Sequence, residues 1–250
     1  MRVYINFEFD KLELPVEYNH ILHAFVLNLI EDDELRYFIH EEGYRYQKRK
    51  YKMYCFSRLL GNFQLNQDRK TIKFHESVTL IVSSFDDNLI ELLVDKLSRF
   101  ETLHLGENKI RPSKITLFDL PPTNFIQVST KSPVTVYSTI EERGKKITLY
   151  HNPESEDFIR ILKENLKRKY LAIFGDESES NFDIEIQHVG EQPRKVVVVY
   201  KGTRISGWLT SFDLKGPYQI LKLAYDTGIG SKNSIGFGCI ELISSPLGRS

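Results

Sequence analysis

Several features that assign a chain to a common class are missing from these 250 residues. No run reaches the roughly 18 consecutive apolar residues that a membrane-spanning helix needs, so no membrane association is predicted. The first ten residues alternate apolar and polar side chains and include acids, which is unlike a secretory signal peptide. We therefore expect a cytoplasmic protein.

Cysteine is scarce, with only Cys55 and Cys239, each inside an apolar strand pattern. We expect buried free thiols rather than a disulfide, which agrees with a reducing compartment. Two cysteines without a CxxC pair do not form a zinc site. The acid pairs at 32–33 and 86–87 are interpreted as helix caps rather than as a two-metal site. The sequence therefore predicts no metal ion and no other cofactor.

A net charge is also missing, since 34 Lys and Arg residues balance 34 Asp and Glu residues. Nucleic-acid-binding proteins usually carry a basic surplus, but the local density of charge decides where phosphate can bind. Residues 44–52 hold five cations, three tyrosines and no acid, whereas residues 31–34 are all acidic. The charge is therefore polarised along the chain, and the basic stretch is predicted to bind an anionic partner.

Glycine is concentrated in residues 228–238, where two Gly-apolar-Gly pairs flank a polar segment that carries Lys232 and Asn233. Glycine permits positive φ angles and close backbone approach, and the N–H groups of such turns form concavities that suit anions. A helix pattern precedes this loop and a strand pattern follows it. Dinucleotide and P-loop motifs have the reverse order, strand, loop, helix. A phosphate-binding loop and a simple chain reversal both remain open from the glycines alone.

Hydrophobic periodicity in the first half predicts the order strand, helix, strand, strand, helix, strand, which is the ferredoxin-like arrangement. The predicted elements are a strand in 1–9, a helix over 17–30, a short helix capped by Asp32 or Asp33 and ended by Gly43, strands over 52–60 and 71–83, a helix capped by Asp86, and extended chain over 103–118. Pro121 and Pro122 can continue neither element type and mark a linker.

The second half repeats this order loosely, without a residue-level repeat. The predicted elements are extended chain over 125–137 and 146–150, a helix over 155–170 with acids first and cations last, strands over 182–189 and 195–200, a helix over 217–227 and a strand over 239–243. Four consecutive valines, Val196–Val199, predict a strand that is covered on both faces. We predict domains at 1–120 and 124–245, followed by a tail at 246–250.

The spacing of the glycines, Gly-apolar-Gly, five residues, Gly-apolar-Gly, resembles the glycine-rich loop of the repeat-associated RNA-binding proteins of CRISPR systems. Within them the chain most resembles the endoribonuclease that cuts the repeat transcript into guide RNAs. Three further stretches fit: the strand at 1–7, the triplet Tyr18-Asn19-His20, and Ile39-His40-Glu41 followed by Lys52-Met53-Tyr54. These pieces span the chain in the expected order. Element order and resemblance together predict an α+β fold of two tandem ferredoxin-like domains.

The resemblance implies a catalytic role for His40, because family members commonly use a histidine at this place. His40 also shares the polar face of its short helix with Arg36 and precedes the basic stretch. For Lys52 the resemblance implies a role in holding charge, although a solvated lysine at a strand start is an equally good interpretation. His20 and His23 are interpreted as a helix-start residue and a partly buried one, and they are the next catalytic candidates.

One departure from the family concerns a tyrosine that some members use on the first helix. The equivalent position falls near Val26 or Leu27 here. Tyr44, Tyr46 or Tyr51 could replace it, and we include Tyr44 in the predicted catalytic group. The predicted RNA-binding residues belong to the basic stretch and the glycine-rich loop: Arg45, Lys48, Arg49, Lys50, Gly228, Gly230, Lys232, Asn233, Gly236 and Gly238.

The residues together with the resemblance imply a metal-independent endoribonuclease that cleaves CRISPR precursor RNA within its repeats. The chemistry that suits these residues is attack of a ribose 2′-hydroxyl on its own phosphate, leaving a cyclic phosphate and a 5′-hydroxyl. A non-catalytic RNA-binding subunit of a CRISPR effector complex is the alternative. A metabolic ferredoxin-like domain is disfavoured by the basic stretch. Repeat RNA is the expected partner, and association with other CRISPR-associated proteins or with a second copy stays open.

Overall fold

The computed structural model of the chain describes residues 1–142, 144–175 and 182–243. The first half contains β1 (Arg2–Glu8), β2 (Leu12–Pro15), α1 (Asn19–Asn28), α2 (Asp33–Tyr37), a π-helical turn (Phe38–Glu42), β3 (Tyr44–Tyr46), β4 (Arg49–Tyr51), β5 (Tyr54–Phe56), β6 (Leu60–Asn66), β7 (Thr71–Ser84), α3 (Asp87–Arg99), β8 (Leu103–Leu105) and β9 (Asn108–Phe118). The second half contains β10 (Phe125–Thr130), β11 (Tyr137–Glu142), β12 (Lys145–Tyr150), α4 (Glu156–Phe174), β13 (Glu185–Tyr200), β14 (Thr203–Lys215), α5 (Tyr218–Thr227), a 3₁₀ turn (Asn233–Ile235) and β15 (Ile240–Leu242). No helix among these is long and apolar enough to cross a membrane.

The first half is an antiparallel sheet with strand order β2-β7-β1-β9-β8. β5 and β6 pair with the edge of β7 opposite to β1. The alternation predicted for the N-terminal strand is present, because Val3, Ile5 and Phe7 are fully buried. They pack in one hydrophobic core with residues of α1 and α3. This half therefore has the predicted ferredoxin-like layers, a sheet with two helices on one face.

The second half is an antiparallel sheet with strand order β13-β14-β10-β15. Its core joins α4 and α5 to the inner face of the sheet, with Phe158, Leu162 and Phe212 fully buried. Each of the two sheets packs against its own helices. The prediction of an α+β protein with two tandem ferredoxin-like units is therefore confirmed. Between them, β9 ends at Phe118 and β10 begins at Phe125, so the predicted proline linker joins the sheets.

Local signals in the first half are confirmed at three helix boundaries. The side chains of Asp32 and Asp86 accept hydrogen bonds from backbone N–H groups at the starts of α2 and α3. Gly43, with φ of 67°, ends the π-helical turn. The strand predicted over 52–60 was wrong: only β5 is extended there, and β6 begins at Leu60. Met53 adopts a φ of 52°, and the backbone N–H of Arg58 leaves the sheet to donate to Lys131 in the second half.

Predictions for 182–215 also need correction. β13 is one strand with an irregularity between Val189 and Arg194, and its partner β14 was not predicted. The four valines are not covered on both faces, because Val198 is buried and Val197 is 44% exposed. This part of β13 forms a hairpin with β14 that extends from the sheet, so only one side packs against other residues. The predicted tail at 246–250 lies outside the described residues.

The two halves are joined by a buried polar network around Arg2, which is fully enclosed. Its guanidinium donates to the backbone oxygens of Ile240 and Tyr225, both at 2.6 Å, and to the Oε2 atom of Glu241 at 3.0 Å. It also lies 3.5 Å from the centre of the Tyr225 ring. Because one partner belongs to β1 and the others to the second half, this network fixes the units relative to each other.

The two cysteines meet at the same junction. Cys55 and Cys239 are both buried and free, as predicted, and pack together with Ile81.

Candidate active site

Positive φ angles define the glycine-rich loop. Gly228, Gly230, Gly236 and Gly238 have φ between 71° and 87°, a region that residues with a Cβ rarely adopt. Space is limited as well, because a Cβ on Gly238 would overlap the carbonyl oxygen of Ile229. The loop closes on itself through a hydrogen bond from the Ile229 N–H to the Gly238 oxygen at 2.9 Å. The glycines are therefore required by the shape of the loop itself.

Asn233 holds this loop from inside. Its Nδ2 donates to the backbone oxygens of Ile229 and Phe237 at 3.0 and 3.1 Å, and its Oδ1 accepts from Nζ of Lys169 at 2.7 Å. Both polar ends of the carboxamide are thus engaged within the protein. Asn233 was predicted to bind RNA, and its geometry fits a residue that shapes the loop.

Lys169 in α4 is the partner that sequence reasoning missed. It was interpreted as one of the cations that end a helix at 170, but α4 continues to Phe174, and Lys169 is only 3% exposed. Its Nζ also donates to the oxygens of Thr227 and Gly228. Burial lowers its pKa to about 7. A buried cation therefore ties α4 to both the end of α5 and the glycine-rich loop.

The Tyr18-Asn19-His20 triplet places the loop against the first helix. Nδ2 of Asn19 donates to the Ile235 oxygen at 3.2 Å, in the 3₁₀ turn of the loop. A Cβ on Gly236 would lie 2.8 Å from the same Nδ2 atom, so the glycine allows this contact. His20 is exposed, and its Nδ1 contacts the Glu17 oxygen instead. The loop from the second half therefore sits at the start of α1 of the first half.

His40 lies in the π-helical turn, exposed to solvent. Its Nδ1 lies 2.7 Å from Oε1 of Glu41. A carboxylate can only accept, so Nδ1 carries the proton, and Nε2 is the ring nitrogen that remains for a substrate. The backbone oxygen of Glu41 accepts a hydrogen bond from Nζ of Lys50 at 3.0 Å, which connects this turn to the basic stretch.

A second histidine completes the arrangement. The His23 ring, from α1, stacks on His40 with 6.0 Å between centroids and 19° between planes. Its Nδ1 lies 2.7 Å from the hydroxyl of Tyr200. Burial, together with the nearby His40 and Lys201, lowers the pKa of His23 to about 4. His23 is therefore neutral near pH 7, and it is a partly buried helix residue, as interpreted from the sequence.

Lys52 follows the β3–β4 hairpin and lies against the His40 turn, since a Cβ on Gly43 would be 3.1 Å from Lys52 Cδ. Its Nζ atom is enclosed, and no acceptor in the described part of the chain hydrogen-bonds to it. Burial and the charge of Lys50 lower its pKa. An enclosed ammonium group without a partner is unfavourable, so this position is suited to an incoming anion.

Tyr44 is placed differently from the histidines. Its ring packs edge-on against Phe38 at 5.4 Å and Phe85 at 6.0 Å, and burial raises its pKa. Because Phe38 belongs to the π-helical turn, this aromatic cluster supports the turn that carries His40. The hydroxyl of Tyr200, rather than that of Tyr44, contacts a histidine, namely Nδ1 of His23. No sequence pattern predicted this role for Tyr200.

A cleft of about 810 Å³ joins the two predicted RNA-binding regions. It brings Arg49, Lys50 and Lys52 together with the loop. Its lining also includes residues that were not predicted, among them Tyr137, Arg160 and Arg168. The loop residues that line it are Gly230, Ser231, Lys232, Asn233 and Ser234. The predicted RNA-binding residues outside the lining are Arg45, Lys48, Gly228, Gly236 and Gly238, and the predicted catalytic residues His40 and Tyr44 also lie outside it.

No group of three or more His, Cys, Asp or Glu side chains within residues 1–142, 144–175 and 182–243 is arranged to hold a metal ion. The groups available in this region are imidazoles, cations, hydroxyls and backbone amides, together with the carboxylates of Glu41, which contacts His40, and of Glu164, which is paired with Arg160 and Arg168. Such groups can move protons and stabilise negative charge.

Comparisons with known proteins agree with this architecture. The chain is 27% identical over 253 residues to the CRISPR-associated endoribonuclease Cas6 2 of Methanocaldococcus jannaschii, and the alignment covers 95% of each protein. It is 28% identical over 247 residues to Cas6 1 of the same organism, covering 96% of this chain and 92% of the relative.

Solved structures share the fold. A Cas6-related protein from Pyrococcus furiosus superposes with a TM-score of 0.82 at 22% identity, covering 98% of this chain and 99% of the other. A RAMP protein described as binding different RNA substrates gives 0.79 at 20% identity, covering 97% and 99%. Residues 118–242, half of the chain, match the family model described as CRISPR associated protein Cas6, C-terminal. The protein therefore belongs to the Cas6 family of CRISPR-associated proteins.

Proposed function

We propose that this protein is an endoribonuclease that cuts CRISPR precursor RNA within its repeats to release guide RNAs. Relatives that align over nearly the whole chain are named as CRISPR-associated endoribonucleases. The observation that carries the proposal for this chain is the stacked pair of His23 and His40. Glu41, next to His40, accepts a hydrogen bond from Lys50 of the basic hairpin, and α1, which carries His23, contacts the glycine-rich loop through Asn19. The proposal includes a reaction that needs no metal ion.

RNA binds in the cleft between the two halves. Arg49 and Lys50 approach the phosphate backbone from one side, and the loop residues Gly230 and Lys232 approach it from the other. The enclosed ammonium of Lys52 receives the scissile phosphate, because an anion would supply the partner that this group lacks among the described residues. Asn233 and Tyr44 support the loop and the His40 turn and have no direct role in the chemistry.

The nucleophile is the ribose 2′-hydroxyl, which lies beside the phosphate at every step of an RNA chain. His23, neutral near pH 7, accepts the 2′-hydroxyl proton through Nε2. His40 acts in its imidazolium form: Nδ1–H stays on Glu41, and Nε2 delivers its proton to the leaving 5′-oxygen, which leaves His40 neutral. Lys52 stabilises the charge on the phosphorane-like transition state. The products are a 2′,3′-cyclic phosphate and a 5′-hydroxyl.

The reaction is tested with repeat RNA and excess chelator. We expect cleavage with a cyclic phosphate on the upstream product and a 5′-hydroxyl on the downstream product. A substrate with one 2′-deoxy nucleotide immediately upstream of the cut should bind equally well and stay intact, even with magnesium. A strict requirement for a divalent ion would refute the mechanism. Tight binding without cleavage of any repeat RNA would instead favour the non-catalytic RNA-binding subunit.

Substitution of either histidine tests the proposed roles. We expect His40→Ala and His23→Ala each to slow single-turnover cleavage by at least about tenfold, because a positioned proton donor or acceptor contributes about 10²–10⁴ in rate. RNA affinity should stay within a few fold. His20→Ala is the matched control, since His20 lies on the same helix as His23, is exposed, and has its Nδ1 on the Glu17 backbone oxygen. Wild-type cleavage by His40→Ala would show that His40 is not catalytic.

A further inference from the structure

Tyr200 is held rigidly at the end of β13. It pairs with Thr203 across a two-residue turn, and both turn residues, Lys201 and Gly202, have positive φ angles of 47° and 79°. This is the hairpin turn whose twist matches that of the flanking strands. The hairpin is anchored by Val198, Ile205 and Phe237, which pack together beneath it. The position of the Tyr200 hydroxyl is therefore set by backbone geometry and packing.

The hairpin belongs to the second half of the chain, but its tip reaches α1 of the first half. The hydroxyl of Tyr200 lies 2.7 Å from Nδ1 of His23, and the two ring centroids are 6.2 Å apart. The anchor residue Phe237 is part of the glycine-rich loop, which Asn19 in turn holds against the same helix. The contact to His23 is thus one of several that join the hairpin, the loop and α1.

A neutral imidazole has two ring nitrogens with opposite roles, and the partner of one nitrogen decides the state of the other. With Nδ1 held by Tyr200, the nitrogen that can exchange a proton with RNA is Nε2. A phenol hydroxyl can donate or accept, and Nε2 is free to accept the 2′-hydroxyl proton only when Nδ1–H donates to the Tyr200 oxygen, so this is the tautomer that the proposed mechanism requires. Without the hydroxyl, the ring could rotate and populate both tautomers. Burial raises the pKa of Tyr200, so the phenol keeps its proton over the physiological range.

We propose that Tyr200 is a positioning residue that fixes the ring orientation and tautomer of His23, so that the second half of the chain completes an active site carried by the first. This inference rests on the proposed endoribonuclease function. It assigns a role to the β13–β14 hairpin beyond sheet formation. It also predicts that the two halves do not act as separable binding and catalytic modules.

The test compares Tyr200→Phe with wild type in two measurements. Single-turnover cleavage of repeat RNA should slow by about tenfold, the lower end for losing a group that orients a functional histidine, while RNA affinity changes less than about twofold. Nitrogen NMR of histidine-labelled protein should show His23 in one tautomer in the wild type and in a mixture in the variant. The double variant with His23→Ala should cleave no more slowly than His23→Ala alone, because Tyr200 acts through His23.

Tyr150→Phe is the matched control. Tyr150 packs against the same hairpin core, but its hydroxyl contacts the Arg204 backbone oxygen at 3.4 Å. Wild-type cleavage and an unchanged His23 spectrum in Tyr200→Phe would overturn the inference and leave the proposed function intact. A wild-type protein that does not cut repeat RNA would overturn the proposed function, and the spectra would still decide whether Tyr200 fixes the ring.

Discussion

Asn233 turns inward in the glycine-rich loop, whereas the charged side chains of the β3–β4 hairpin turn outward, although both regions line one cleft. In the loop, the carboxamide of Asn233 donates to two backbone oxygens and accepts a hydrogen bond from Lys169. In the hairpin, Arg45, Lys48 and Arg49 are exposed. The loop therefore offers backbone groups and Lys232 in an internally hydrogen-bonded turn, whereas the hairpin offers exposed side-chain charges.

This difference separates two ways of binding a phosphate chain. A preorganised backbone contributes geometry, with little entropy lost on binding. Exposed cations contribute attraction that weakens with salt as counterions are released. Damage to the loop should therefore affect stability and binding together, while damage to the hairpin should affect the affinity and its salt dependence without a matching loss of stability.

The largest effect is expected from Gly238→Ala. The added Cβ would overlap the Ile229 oxygen at a φ of 71°, and we expect unfolding free energy to fall by about 4 kcal/mol from backbone strain and overpacking combined. Denaturant unfolding and RNA affinity are measured together. Gly190→Ala is the control, because Gly190 has a φ of 85° but nothing within 4 Å of an added Cβ. Equal losses in the two variants would mean that packing in the loop contributes nothing.

Lys169→Met should destabilise the protein by about 3 kcal/mol, because it leaves buried oxygens of Asn233 and Gly228 without their donor. RNA affinity should fall as the loop loses its shape. Lys163→Met, at a partly exposed position of the same helix, should have little effect. Normal RNA binding by Lys169→Met would show that the loop keeps its form without the cation.

The same lysine makes a prediction about pH. Its pKa is about 7 in the folded protein, against an ordinary value of 10.5. Between these values the unfolded chain holds a proton that the folded chain has lost, so this residue makes stability rise as pH increases from about 7 to about 10.5. Comparing unfolding of wild type and Lys169→Met across that window isolates the contribution. A stability difference that does not vary with pH would contradict it.

The smallest change in stability, within about 0.5 kcal/mol, is expected from charge removal in the hairpin. Arg49→Ala with Lys50→Ala should reduce the slope of log affinity against log salt by about 1.4, which is 0.7 for each single-strand phosphate contact. Arg45→Ala with Lys48→Ala removes the same charge from positions outside the cleft lining, and its slope should change less. Equal slopes would mean that RNA does not follow the cleft.

How far the site could be predicted from sequence depended on the range of each signal. The positive φ of the loop glycines, the caps at Asp32 and Asp86 and the alternation of β1 all follow from interactions within a few residues. The missed strand β14 has weaker alternation, with three consecutive residues, Leu209–Ser211, half-buried. The four valines of β13 predicted a strand covered on both faces. That prediction failed because the hairpin extends from its sheet and has only one packed side.

By itself, the sequence determined the α+β class, the glycine positions that allow positive φ in the loop and the position of the basic stretch, because short-range sterics, periodicity and composition control all three. Only the tertiary structure decided what these features contact. The Lys169–Asn233 bond joins residues 64 positions apart, and the His23–Tyr200 bond joins residues 177 apart. No local pattern encodes such pairs, since they exist only after two sheets have docked through the buried Arg2 network.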